Sequence, residues 1–267
     1  MKKTVSVVIL ANNEEKNLGQ CLRSVSGWAH EVVVVDSGST DRTMDIAREY
    51  GARVLKHDFI NQADQFNWAL ENAALSGDWV LRLDADEYPT EELKAEIDRT
   101  LPETPQDVTG FSLKRRNYFM GKWIRYGGYY PAWILRLFRR GVGRSDDREM
   151  DERIVLVSGR AERMQNDFID DNHNGLSAWM EKHVRYASRE AKAYLTSRSG
   201  EPGRRMFYYR FPPFIRALLY FVYRYIVRLG FLDGVRGLIF HFLQGLWYRF
   251  LVDVRIFELT RSGKKEI

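Results

Sequence analysis

Two aspartates two residues apart, Asp84 and Asp86, follow directly on the largely apolar segment Trp79 to Leu83. On an extended segment that spacing turns both carboxylates the same way, so they can share one divalent cation. Mg2+ takes one or two carboxylates and fills its remaining positions with water and substrate phosphate, which makes a diphosphate-bearing substrate the natural third party. The competing reading of Asp84-Ala85-Asp86-Glu87 is a plain surface turn at a strand end. Asp36 ends a second apolar run, Val32 to Val35, and opens Asp36-Ser37-Gly38-Ser39-Thr40-Asp41. The tail of that segment is a good strand-turn-helix connector with Ser39 or Thr40 as the helix cap. A carboxylate at the very end of a buried strand is not explained by capping, and it is suited to accept hydrogen bonds from a nucleotide base or ribose. Asn12, Asn13 and Glu14 follow a third apolar run, Val5 to Ala11.

The runs that carry these residues read as strands. Val5 to Leu10 is almost wholly apolar and rich in β-branched residues, as expected of a parallel strand covered on both faces. Leu18, Cys21, Leu22 and Val25 then fall at i, i+3, i+4 and i+7, the stripe of a helix that packs on a sheet. Val32 to Val35 and the stripe Thr43, Ile46, Ala47 and Tyr50 repeat the unit, ending at Gly51. A strand around Val54 leads to a helix with Phe66, Ala69, Leu70 and Ala73, and Trp79 to Leu83 leads to a helix capped by Thr90 with Glu91 and Glu92 in its first turn. This alternation predicts an α/β fold with a right-handed, doubly wound, mostly parallel sheet. In such a sheet ligands bind outside the carboxyl ends of the strands, and Asn13, Asp36, Asp84 and Asp86 all lie there. Beyond Pro102 and Pro105 the winding stops, with short strands at Gly110 to Arg115 and Ile134 to Phe138 and a helix from about Leu176 to Ala193.

Three ordered motifs, Leu10-Ala11-Asn12-Asn13-Glu14-Glu15, Val35 to Asp41 and Leu83-Asp84-Ala85-Asp86-Glu87, resemble those of family 2 glycosyltransferases with the A-type nucleotide-sugar fold, particularly small bacterial members of lipopolysaccharide-core and exopolysaccharide pathways. The resemblance runs from about Val5 to Ala193. It implies that Ala11, Glu14 and Asp36 contact the nucleotide, with Asn13 beside them, that Asp84 sits near ribose or metal, and that Asp86 is the main ligand of Mg2+ or Mn2+. It also implies inversion at the anomeric carbon in a single displacement. Gln65 and Asn67 match a donor-side feature, or form an ordinary amide pair on a helix surface. Arg136 is a candidate for the donor phosphate. His173, in Asp171-Asn172-His173-Asn174-Gly175, resembles a late family histidine at the metal or diphosphate, and is otherwise a plain loop residue. The acceptor hydroxyl needs a base, and a carboxylate is the usual choice. Glu149, Asp151 and Glu152 are candidates; relatives carry Glu-Asp or His-Glu where this chain has Asp151-Glu152, and alignment on Ile154 to Val157 favours Glu152 with Asp151 second. Trp179, Lys182, His183 and Tyr186 share a helical face that either lines an acceptor pocket or packs in a core.

The 267 residues, 45% hydrophobic and 29% charged, suffice for a folded catalytic domain with an appendage. We expect residues 1–195 to be the catalytic domain, divided into a nucleotide-binding half (1–101) and an acceptor half (102–195), and residues 196–267 to be a helical segment. One cysteine excludes an internal disulfide and, on an apolar helix face, reads as a buried inert thiol. No signal-peptide cleavage site follows the first apolar run, so a cytoplasmic location is expected. Between Phe207 and Phe257 seven arginines face two aspartates, interleaved with aromatic residues, and the longest uncharged run is twelve residues, short of a membrane span. An interfacial helix on the anionic inner face of the plasma membrane fits that pattern; a helical appendage packed on the catalytic domain or on a second copy is the other reading. A nucleic-acid partner is not expected, because no binding motif accompanies the charge. The expected partners are a nucleotide-sugar donor and a glycan or glycolipid acceptor. Two other functions share the pattern: a nucleotidyltransferase, whose usual glycine-rich loop is here replaced by Ala11-Asn12-Asn13-Glu14, and a non-catalytic membrane-associated assembly protein.

Overall fold

The computed structural model describes residues 3–146, 153–196 and 208–262. The chain forms two compact units: Met1–Tyr118 with Pro131–Asn174, and Phe119–Tyr130 with Gly175–Ile267. This division falls at Asn174, before the helix that the sequence assigned to the catalytic domain, rather than at residue 195.

In the first unit β1 (Val5–Ala11), β2 (Glu31–Asp36), β3 (Arg53–Lys56) and β4 (Trp79–Asp84) pair in parallel. They alternate with α1 (Leu18–Val25), α2 (Thr43–Glu49), α3 (Gln62–Asn72) and α4 (Glu91–Thr100). The period of two along each strand divides its side chains between the faces. Val5, Val7 and Ile9 of β1 and Trp79, Leu81 and Leu83 of β4 join Leu18, Leu22, Leu93 and Ile97 in one core. Val8, Leu10, Val33, Val35 and Val80 join Phe66 and Ala69 of α3, and Ala73 just after it, in the other. Both faces are covered, so near-continuous apolar runs are what the sheet requires.

The later strands are β5 (Glu87–Pro89), β6 (Val108–Phe119), β7 (Lys122–Trp123), β8 (Ala132–Arg139), β9 (Gly143–Ser145), β10 (Ile154–Leu156) and β11 (Arg160–Asp171). The main sheet runs β3-β2-β1-β4-β8-β6-β11-β5. β8 is antiparallel to β4 and β6, and β11 is parallel to β6, so β11 points the same way as β1, β2 and β4. Its carboxyl end at Asp171 therefore opens on the edge where Ala11, Asp36 and Asp84 end. β11 escaped the sequence reading because only Met164 and Phe168 of its apolar residues are fully buried, its first four residues are exposed, and its register with β6 shifts between Arg163 and Asp167. The short β9 and β10 pair antiparallel and bracket residues 147–152.

Thr90 caps α4 as expected, accepting from Leu93 N at 3.2 Å. Neither Ser39 nor Thr40 caps α2. The cap position is Arg42, which makes no side-chain cap bond, and Asp41 before it accepts through Oδ1 from Thr43 N at 3.0 Å and from Thr43 Oγ1 at 2.5 Å, because the helix begins later than the connector suggested.

The second unit consists of β7 and its flanking loops, α5 (Gly175–Thr196), α6 (Ile215–Val222), α7 (Gly234–His241) and α8 (Tyr248–Ser262), with wider π-type turns at Tyr223–Val227 and Phe242–Trp247. Trp179 stacks on His183 at 3.5 Å, and His183 is buried with its Nδ1 2.8 Å from Trp179 O. Phe119 and Phe240 pack with Trp179, and Tyr248 and Val252 with Tyr186. The aromatic members of the predicted Trp179, Lys182, His183, Tyr186 face thus serve as core. Among the described residues no helix is long and apolar enough to cross a membrane.

Candidate active site

Register fixes where the polar strand ends lie. Ala11 pairs with Asp36 across β1 and β2, and Leu10 pairs with Asp84 across β1 and β4. Asp36 and Asp84 are thus two strand spacings apart along one edge, roughly 10 Å. The loops that follow them are fastened to one another by their own side chains.

Asp36 is 1% exposed, and its Oδ2 accepts from Gly38 N at 3.0 Å and Ser39 N at 3.1 Å. Gly38, at φ +89°, supplies the left-handed backbone of that turn. Asn13 also lies in the left-handed region, at φ +54°. That conformation lets its N–H donate to Ser39 Oγ at 2.8 Å while its Oδ1 accepts from Thr40 N at 2.8 Å. Asn12 Nδ2 donates to Ser37 O, and Glu14 N donates to Thr43 Oγ1 at 2.7 Å. The loops after β1 and β2 are one hydrogen-bonded body, with Ala11 buried at its root.

Glu14 Oε2 accepts from Asn17 Nδ2 at 2.5 Å and from Asn174 Nδ2 at 3.2 Å. His173 N donates to Asn17 Oδ1 at 2.7 Å, and Asn174 N to Asn172 Oδ1 at 2.9 Å. The segment after β11 is thereby tied to the loop after β1. Its other tie is to the acidic turn: Asp171 N donates to Asp86 O at 3.0 Å and Asn172 Nδ2 to Asp86 Oδ2 at 2.8 Å. His173 lies beside this group with its Nε2 3.3 Å from Asp171 Oδ2, its side chain 46% exposed.

The acidic turn is organised from beneath. Arg136 on β8 is 6% exposed and donates through NH2 to Glu87 Oε1 at 2.5 Å and to Asp84 Oδ2 at 3.1 Å. Arg82, buried in β4 over the Phe66 ring, brings a second guanidinium to 3.6 Å from Asp84 Oδ1. Glu87 is 2% exposed and also accepts from Asp84 N at 3.0 Å. Burial pushes the Glu87 carboxyl well above the usual carboxylate range; Arg136 pulls against it, while Asp84, Asp170 and Asp86 push the same way as burial. The Arg136 guanidinium is held above its ordinary value by Glu87 and Asp84 against the opposing effect of burial, and stays charged. Cys21 is the inert thiol expected: fully buried, with its pKa raised by burial and by Glu87, Asp86 and Asp84.

The structure therefore brings together Ala11, Asn13, Glu14, Asp36, Asp84, Asp86 and His173 at one sheet edge. Arg136 is at the site too, but its NH2 is engaged by two carboxylates beneath the turn. Gln65 is 2% exposed and donates from Nε2 to Val35 O at 3.1 Å, securing α3 to the end of β2. Asn67 clasps the backbone of Ser145 with both ends of its amide. Glu149, Asp151 and Glu152, the candidate bases, lie outside the described residues, between β9 and β10. Sequence reasoning missed Arg82, Glu87, Asn17, Asn172 and Asn174. A charge inside the apolar run of β4 was the available signal for Arg82; the asparagines gave none.

Among the described residues no three His, Cys, Asp or Glu side chains form a cage for a metal ion. A structural metal does not fit this donor set. A hard dication shared with a substrate does, because Asp84 and Asp86 supply the one or two carboxylates such an ion takes while diphosphate and water complete its shell.

The lipopolysaccharide core biosynthesis glycosyltransferase LpsC of Rhizobium meliloti is 29% identical over 259 residues, covering 91% of this chain and 90% of that protein. An uncharacterized glycosyltransferase of Rickettsia typhi, RT0209, is 36% identical over 105 residues, 39% of this chain and 35% of the other. Among solved structures, the mannosyltransferase PcManGT from Pyrobaculum calidifontis in complex with GDP-Man and Mn2+ is 18% identical at a TM-score of 0.49, covering 98% of this chain and 76% of that one. Residues 6–158, which contain all three motifs and the doubly wound strands, match the family model described as glycosyl transferase family 2, and the chain belongs to that family.

Proposed function

We propose that this glycosyltransferase is a metal-dependent, inverting enzyme that moves a sugar from a nucleotide-sugar donor to a lipid-linked glycan acceptor at the inner face of the plasma membrane, in lipopolysaccharide or related cell-envelope polysaccharide assembly. The observation that carries the reading is the convergence of Asp36, Asp84, Asp86 and Glu14 on one sheet edge, locked there by Asn13, Asn17, Asn172 and Asn174. The full-length similarity to a lipopolysaccharide-core glycosyltransferase supports the pathway.

In this reading Ala11, Asn13, Glu14 and Asp36 bind the nucleoside. Asp86, with Asp84, holds Mg2+ or Mn2+, which when bound neutralises charge on the departing diphosphate. The acceptor oxygen attacks the anomeric carbon as the bond to the diphosphate oxygen breaks, and the electron pair leaves with the nucleoside diphosphate. The hydroxyl proton passes to Glu152, or to Asp151. Interlocking of the loops means that little reorganisation is needed when charge develops, which is how a preorganised polar site lowers a barrier.

The test is a panel of nucleotide sugars with purified protein, read as thermal shift and as donor turnover, with Mn2+ and with a chelator. Stabilisation by at least one donor that depends on the metal is expected. Absence of binding to every common donor in the presence of Mn2+ removes the proposal.

A further inference from the structure

Around its aromatic core the second unit also displays large apolar side chains at its surface. Among the described residues, 17 of the 23 large hydrophobic side chains that lie exposed fall between Phe211 and Phe257. Ile215, Leu218, Leu219, Val222 and Ile226 recur at helical spacing along α6 and the π-type turn that continues it, and each is between 41% and 55% exposed. On the same helix Arg216 is 3% exposed and pairs with Asp253, itself 1% exposed. Asp233 and His241 are likewise buried at 2% and 0%, while Val235 is 74% exposed. A helix in water buries its apolar stripe. This one buries its charge and displays the stripe.

The displayed charge has one sign. Arg210, Arg228 and Arg236 are exposed, whereas both acidic residues between 208 and 257, Asp233 and Asp253, are sealed inside. Arg228 also borders a cleft of about 310 Å³ with Arg125, Tyr126, Gly128, Val227 and Leu229. Gly128 has no side chain to fill the space beside the Arg228 guanidinium; a Cβ there would stand 3.3 Å from its Nε. One part of the lining is cationic and phenolic and the other aliphatic, matching the boundary between lipid headgroup and acyl chain.

We propose that this face rests on an anionic lipid bilayer, with Ile215, Leu218, Val222 and Val235 in the acyl boundary and headgroup phosphate in the cleft between Arg125 and Arg228. The inference names the membrane partner of the proposed transferase and takes its purpose from that reading, but its observations are independent of it. The face lies on the membrane rather than spanning it, as amphipathic helices with a cationic polar side do. A second copy of the chain would bring these arginines against one another.

Flotation of the full chain, without nucleotide, on phosphatidylcholine vesicles and on vesicles that also contain phosphatidylglycerol tests this. Wild-type protein floats with the anionic vesicles, and added salt weakens the association. Arg228→Gln binds about fivefold more weakly, the effect of one basic residue at an anionic surface. Leu218→Asp with Val235→Asp, at exposed positions that leave the core intact, abolishes flotation. The proposal is overturned by failure to float, by equal binding to neutral vesicles, or by flotation that the aspartates leave unchanged. A dimer in light scattering that those aspartates dissolve, without vesicle binding, overturns it in favour of self-association. Donor turnover measured on the same preparations reports separately on the transferase reading.

Discussion

Replacing Arg136 by methionine tests whether the acidic turn is held by the buried guanidinium beneath it. The side chain is 6% exposed and its NH2 bridges Glu87 at 2.5 Å and Asp84 at 3.1 Å. Unit charges about 4 Å apart at an effective dielectric near 20 attract by about 4 kcal/mol, and removing one partner of a buried ion pair costs about 3–5 kcal/mol because the other charge is left uncompensated. Glu87, 2% exposed and already pushed up by burial and by its acidic neighbours, is the residue stranded. Arg136→Met should therefore lose about 3–5 kcal/mol in urea denaturation at about pH 9, above the value of about 8 to which Glu87 is raised, so that its carboxyl starts out ionised. Glu87→Gln in the same protein removes the stranded acid yet keeps an oxygen for Asp84 N, so the double variant should recover about 2 kcal/mol of that loss. The cycle separates the charge from the lost volume, since methionine fills much of the space in both proteins. A single-variant loss below about 1 kcal/mol, or no relief from the glutamine, would refute the reasoning.

Asn172→Ala should weaken Mn2+ binding in the presence of nucleoside diphosphate by about 10- to 100-fold in calorimetric titration, the usual cost of losing a group that orients a metal ligand; unchanged affinity would mean that Asp86 needs no orientation from Nδ2. Asn13→Ala removes the bonds to Thr40 and forces alanine into φ +54°, costing about 2 kcal/mol in urea, whereas Asn13→Gly keeps the backbone and should cost about half as much; equal losses would show that the backbone conformation contributes nothing. His241 has its pKa lowered to about 4, by burial first and by Arg224 second, with Asp233 Oδ2 4.0 Å from Nε2. A histidine whose folded pKa is depressed takes up protons more readily when unfolded, so its contribution is intact above the unfolded value of about 6.5 and is lost as pH falls through about 4. The Tm of His241→Gln should fall less than that of wild type between those limits, and parallel curves would sink the assignment.

The nucleotide-binding half was legible in the sequence because both of its signals are set by the sheet. Burial on two faces demands unbroken apolar runs such as Val5 to Ala11 and Val32 to Val35, and the carboxyl ends of parallel strands must meet at one edge. The second half was less so. β8 sits antiparallel between two strands that run alike, and β11 carries Arg160, Glu162, Asp167 and Asp170, whose ion pairs with one another and with Asp107, Arg116 and Arg115 replace the alternation that marks a strand. The Asp84-Ala85-Asp86 motif could be read, but the groups that aim it could not. Asn172 belongs to the segment after β11 and Arg136 to β8, and neither lies near the motif in sequence.

The same limit acts in both units, because hydropathy pattern assumes that polar residues point to water. In β4, Arg82 occupies an inward position and is tolerated since Phe66 and Asp84 receive it. In α6, Arg216 does the same against Asp253, whose other oxygen accepts from Phe214 N at 2.7 Å. A buried charge of either kind persists only where a fixed partner of opposite charge offsets the water it lost. Each such pair therefore marks a place where the chain is held in one arrangement: beneath the acidic turn in the first unit, and beneath the displayed apolar stripe in the second. Removing Arg136 or Asp253 should thus disturb the adjoining functional surface by releasing the element that carries it, whereas exposed neighbours such as Leu218 can be changed with the fold intact.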